Sequence, residues 1–127
     1  MISKIAVYCG AATGNLPIYQ EAATRLGHYL ADHQLELVYG GGRVGLMSVL
    51  ANTVIKAGGK VHGIMPKELV ARGAAATTIT DLTVVDSMSL RKQKMLELTD
   101  GCIALPGGPG TLEEIVEAYS WARIGDN

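Results

Sequence analysis

Residues 35–66 read LELVYGGGRVGLMSVLANTVIKAGGKVHGIMP, and the order of residue types in this stretch decides the fold. Leu35–Tyr39 is a short apolar run stopped by Gly40-Gly41-Gly42, the pattern of a strand that ends in a turn. From about Val44 to Ala57, the residues Leu46, Met47, Leu50 and Val54 recur on one helical face, and Gly58-Gly59 supplies a stop. Lys60–Met65 is a further strand, and Pro66 breaks it. Strand, glycine turn, helix and strand in this order form a crossover unit, and such a crossover joins parallel strands.

The same rhythm extends in both directions. Upstream, Ile5–Cys9 is a continuous apolar run ending at Gly10, as expected of a strand covered on both faces. Pro17 to about His33 predicts a helix, with a first-turn proline and an apolar stripe of Tyr19, Ala22, Ala23, Leu26 and Leu30. Downstream, Pro66–Thr80 is the least regular stretch and reads as a long loop with a turn of helix. Leu82–Val85 is a short strand, and Ser87 suits the cap of a helix from about Met88 to Leu98. Cys102–Leu105 is another buried strand, and a last helix runs from Thr111 to about Ile124. The fold class is α/β, a Rossmann-like three-layer sandwich with a central parallel sheet, expected as a single domain over residues 1–127.

Bulk composition narrows the partners. Of 127 residues 48% are apolar and 18% charged, enough for one core, and the net charge is −1. That balance offers no basic footprint for nucleic acid or an acidic membrane surface, so any anion site is local. Cys9 and Cys102 both lie in apolar runs and are expected as reduced core thiols; there is no CxxC pair or Cys/His cluster to hold a metal. The opening run is too short for a signal peptide, and no apolar stretch is long enough to span a bilayer. Together these features predict a cytoplasmic protein.

Three glycine clusters, Gly10–Gly14, Gly40–Gly45 and Gly107–Gly110, follow strands and precede helices. Ligands of parallel sheets bind at that end, which makes the backbone of Gly10, Gly41 and Gly42 a candidate substrate contact. Gly40-Gly41-Gly42-Arg43-Val44-Gly45 matches GxGxxG by letter. It follows the second strand rather than the first, and no acid ends the next strand, since Glu68 lies beyond Pro66. A phosphate or backbone contact and a plain tight turn are the readings left in front of a dinucleotide site.

Two further motifs carry charge. In Pro106-Gly107-Gly108-Pro109-Gly110-Thr111-Leu112-Glu113-Glu114 a glycine nest meets a helix start, so backbone N–H groups of Gly107, Gly108, Gly110, Thr111 and Leu112 converge where an anion binds. Glu114 fits two roles here, the far end of a capping box begun by Thr111 or a catalytic carboxylate. In the helix after Ser87, Met88 and Met95 mark an i, i+7 stripe whose intermediate positions hold Arg91 and Lys92. Cations early in a helix oppose the macrodipole; either their stems snorkel outward or a bound phosphate or a carboxylate compensates them.

Together these motifs resemble the LOG ("lonely guy") family, often labelled possible lysine decarboxylases. The family's PGGxGTxxE segment is matched from Pro106 through Glu114, and its M-x-x-RK helix by Met88, Arg91 and Lys92. Tyr8-Cys9-Gly10 and the turn at Gly40–Gly45 with Leu46-Met47 are also similar. The resemblance implies hydrolysis of the N-glycosidic bond of cytokinin riboside 5′-monophosphates or AMP, without cofactor or metal. It implies Arg91 and Glu114 as the catalytic pair, with Met88, Lys92, the loop Gly108–Glu113 and Ser120 on the nucleotide. It also implies a homodimer. The sequence departs from the family at Ser89, where a His is common, and at Gly73, where a substrate-contacting Glu is common. It stops at Asn127, before a final strand and helix that the resemblance leads one to expect. A nucleotide- or cofactor-binding carrier on the same fold is the reading from another class.

Overall fold

A computed structural model of the chain describes residues 3–8, 17–43 and 45–104. The apolar runs form strands β1 (Lys4–Tyr8), β2 (Glu36–Tyr39), β3 (Val61–Pro66), β4 (Asp81–Val85) and β5 (Gly101–Ala104). Between them lie helices α1 (Pro17–Asp32), α2 (Gly45–Lys56), α3 (Lys67–Ala71) and α4 (Met88–Leu98). Every pairing among these five strands is parallel, in the order β4-β3-β2-β1-β5. The α/β sandwich expected from the sequence is therefore the observed architecture.

Side-chain alternation along the central strands divides the core in two. Ile5, Val7, Leu37 and Tyr39 face one way and pack with Ala23 and Leu30 of α1 and with Leu46, Leu50 and Val54 of α2. Ala6, Tyr8, Val38 and Ile64 face the other way, against Met95 of α4. Apart from Ala22, the predicted stripes of α1 and α2 belong to this first core. Helix α1 stops at Gln34, whose φ of 57° is left-handed, and Leu35 N–H closes the end on the Leu30 carbonyl at 2.8 Å.

Cys102 departs from expectation. It is exposed rather than buried, because β5 pairs with β1 alone among the described strands. Cys9 lies outside the described residues, as does the helix expected over 111–124. No helix among the described residues is long and apolar enough to cross a membrane.

Asp100 ties the start of the chain to the entry of β5. Its carboxylate accepts the backbone N–H of Ser3 at 2.8 Å and of Lys4 at 3.0 Å, and its own N–H donates to the Lys4 carbonyl at 2.9 Å. The Ser3 amide, then that of Lys4, hold this carboxyl below its usual range, since both favour the charged form. A depressed folded value contributes stability above the unfolded value, and that contribution is lost as pH falls through the folded one. Unfolding titrations of Asp100→Asn should therefore lose less stability than the parent between neutral pH and pH values below about 4. Parallel curves for the two proteins would remove this contribution.

Candidate functional site

The strand order reverses around β1: β2, β3 and β4 lie to one side of it and β5 to the other. A crevice opens at such a reversal, outside the carboxyl ends of the strands. β2 delivers Gly40–Arg43 to that end, and α4 begins there after crossing from β4.

Helix α4 is positioned by its two ends. Ser87 caps it, its hydroxyl accepting the Leu90 N–H at 3.2 Å. Near the other end Met95 is 1% exposed and anchors the helix in the core beside Val38 and Ile64. Arg91 stands one turn before Met95, on the same face, so its side chain also turns toward the sheet. It extends over Gly40, where a Cβ would overlap its guanidinium. The Nη1 group donates to the Met88 thioether at 3.2 Å. Arg91 thus does not snorkel away from the sheet: a cation occupies an apolar position because the residue beneath it has no side chain. Met88, expected on the buried stripe with Met95, is 43% exposed and serves as an acceptor for Arg91 instead. Lys92, next along the helix, is half-buried.

The glycine turn is held by a partner distant in sequence. Gly41 has φ of +83°, which favours glycine. Its carbonyl accepts Ala76 N–H at 2.8 Å, and Arg43 N–H donates to the Ala74 carbonyl at 3.1 Å. Gly42 and Ala75 form an antiparallel bridge, and Arg43 Nε donates to the Gly73 carbonyl at 2.6 Å. Tyr39 Oη completes the turn by donating to the Gly42 carbonyl at 3.0 Å. Several polar groups of the turn are thus committed to protein, which gives Gly40–Gly45 a structural role beside any ligand contact by Gly41 and Gly42. Gly73 has φ of +77° and ends α3: Ala74 N–H closes on the Leu69 carbonyl at 3.1 Å. Glu68, placed in a loop by the sequence reading, lies in α3 and pairs with Arg72 at 2.7 Å.

Of the predicted site residues, the structure brings Arg91, Lys92, Met88, Gly41 and Gly42 to this end of the sheet. Gly10, Gly107, Gly108, Gly110, Thr111, Leu112, Glu113, Glu114 and Ser120 lie outside the described residues.

A second polar cluster, unforeseen from the sequence, occupies the opposite end of the sheet. His62 Nε2 lies 2.6 Å from Glu36, and its Nδ1 lies 2.7 Å from Asp81. The two carboxylates sit on opposite edges of the ring and lock three neighbouring strands together. The cue was only the placement of acids at the starts of β2 and β4 and a histidine near the start of β3. Among the described residues, no group of three or more His, Cys, Asp or Glu side chains could hold a metal ion.

The family profile described as "Possible lysine decarboxylase" matches residues 47–127. A relative named cytokinin riboside 5′-monophosphate phosphoribohydrolase LOG7, from Arabidopsis thaliana, is 45% identical over 96% of this chain and 56% of its own length. Its counterpart LOG from Oryza sativa is 43% identical over 96% of this chain and 50% of its own. The chain thus spans about half the length of these curated relatives. Among solved structures, the molybdenum cofactor carrier protein of Chlamydomonas reinhardtii superposes with a TM-score of 0.79 at 22% identity, covering 94% of this chain and 72% of that one. The molybdenum cofactor binding protein of Rippkaea orientalis does so with a TM-score of 0.81 at 24% identity and the same coverage. At these identities the two structures support the fold alone.

Proposed function

The chain belongs to the LOG family, described as possible lysine decarboxylases, and on that premise we propose that it hydrolyses the N-glycosidic bond of cytokinin riboside 5′-monophosphates or AMP, releasing free base and ribose 5-phosphate. The observation that carries this reading is the Arg91 guanidinium, seated over Gly40 beside the glycine turn at the ligand-binding end of the sheet.

Cleaving a ribosyl C–N bond develops positive charge on the sugar. In the proposed mechanism the Glu114 carboxylate stabilises that charge and orients the attacking water. Arg91 acts electrostatically on the substrate and on Glu114 together. The N–H groups of Gly107, Gly108, Gly110, Thr111 and Leu112, with Lys92, hold the 5′-phosphate. Remote binding thereby becomes positioning of the scissile bond. Glu113, Ser120, Met88 and the backbone of Gly10, Gly41 and Gly42 complete the nucleotide contacts. Neither cofactor nor metal enters this chemistry. Lysine decarboxylation is not proposed, because it takes an electron sink such as PLP bound to a lysine.

In this reading residues 1–127 act as one nucleotide-binding hydrolase domain, in the cytoplasm and as a homodimer. The exposed apolar side chains of Val84, Met88 and Leu90, close to the start of α4, support pairing with a second copy. Sedimentation at micromolar concentration tests it.

AMP or a cytokinin ribotide should yield free base and ribose 5-phosphate, while the unphosphorylated riboside reacts far more slowly. Chromatography of the released base reads both rates. Equal rates would remove the phosphate assignment. Binding of AMP without release of adenine would replace hydrolysis by a carrier role.

A further inference from the structure

We infer that Gly40 is a positioning residue for Arg91, its missing side chain being the seat of the guanidinium. The inference deepens the hydrolase reading, in which Arg91 acts on the nucleotide. Glycine is required at Gly41 by a φ of +83°, but Gly40 is absent from the described glycines with positive φ. Backbone conformation does not explain it. Space does. The three atoms nearest to a Cβ built on Gly40 all belong to Arg91: Nη2, which it would overlap, Cζ at 2.7 Å and Nε at 3.3 Å. Gly40 is itself buried, at the point where β2 becomes the turn.

The seat also explains how α4 carries a cation inward. Four residues after Arg91, Met95 meets the side chains of Val38 and Ile64. At Arg91 the same helix face comes over Gly40, a residue with no side chain. The planar guanidinium lies against the end of β2 because Gly40 projects no side chain there. Any side chain at position 40 displaces the guanidinium or forces the helix away from the sheet, and Met95 holds the helix. The displaced group is then the arginine. A shift of about 1 Å in a group that orients a reacting bond costs on the order of a hundredfold in rate.

The experiment is a double-mutant cycle of Gly40→Ala and Arg91→Ala, read both in turnover of AMP and in melting temperature. Gly40→Ala alone should lower kcat about a hundredfold, with a smaller change in KM, since the displaced group acts on the transition state. In the Arg91→Ala background the same substitution should cost no further activity and no melting temperature, because the added methyl enters vacated space. Normal turnover by Gly40→Ala overturns the inference, as does an equal loss in the presence and absence of Arg91. If Gly40→Ala alone fails to fold, the double variant should fold and melt like Arg91→Ala, and a double variant that also fails to fold overturns it. The melting cycle reads the seat whatever the chemistry. Failure of the hydrolase reading shows separately, as no release of adenine from AMP by the unsubstituted chain.

Discussion

Replacing Arg91 by alanine is expected to lower nucleotide turnover at least about a hundredfold, the scale of one preorganised electrostatic group, while the melting temperature changes little. Two opposing effects on stability support the second half of that expectation. Removing the side chain vacates the space over Gly40 and ends the interaction with the Met88 thioether. It also removes a cation from the first turn of α4, where the macrodipole is unfavourable to positive charge by about 0.3–1 kcal/mol. Capping at Ser87 and burial of Met95 are untouched, and these hold the helix. Arg91→Lys should rescue poorly, because an ammonium retains the charge but lacks the planar fork that lies flat over Gly40. Steady-state rates with AMP and a thermal melt of each variant are the measurements. Full activity in a folded Arg91→Ala protein would withdraw Arg91 from the chemistry.

How far such a site is legible beforehand depends on whether its cues are local. Helix α4 was expected from about Met88 to Leu98 and spans those residues, because a capping serine beside a methionine-bearing stripe is a signal within one helix length. The described strands and α2 lie within one residue of expectation at each end, since apolar runs and glycine stops are also local, although β3 includes Pro66 rather than stopping before it. Arg91 and Lys92 stood out as cations on an otherwise apolar face. Their oddity had two readings, and what turns Arg91 toward the sheet rather than outward is Gly40, 51 positions upstream.

What was not legible is contact between segments. The triplet Gly40-Gly41-Gly42 looks uniform as letters, yet Gly41 answers a backbone angle and Gly40 a neighbouring side chain. Nothing in the GxGxxG spacing announces that residues 73–76 will take up the carbonyl of Gly41 and the N–H of Arg43. The clasp of His62 by Glu36 and Asp81 needs the register of three strands, and α1 ends on Gln34 where a glycine would have been the cue. Cys102 shows the limit of an apolar run: it predicts a strand but not a place in the sheet. That place follows from β5 lying beside β1, beyond the point where strand order reverses.

Glu114→Gln separates a helix cap from a catalytic carboxylate. As the far end of a capping box opened by Thr111, position 114 accepts glutamine, whose side chain reaches the same backbone N–H. Capping alone therefore predicts a variant that melts and turns over as before. The ribosyl cation asks for something glutamine lacks, a negative charge and a base for the attacking water. If Glu114 supplies these, the variant should keep its melting temperature and lose turnover at least about a hundredfold, the usual contribution of a general acid–base group. Glu113→Gln is the matched comparison: it removes the same charge one residue earlier and, as a nucleotide contact, should raise KM with little loss of kcat. The loss should fall on kcat, because the charge matters most once the glycosidic bond has begun to break. A Glu114→Gln protein with unchanged melting and unchanged turnover would leave the residue its capping role and require another carboxylate for the chemistry.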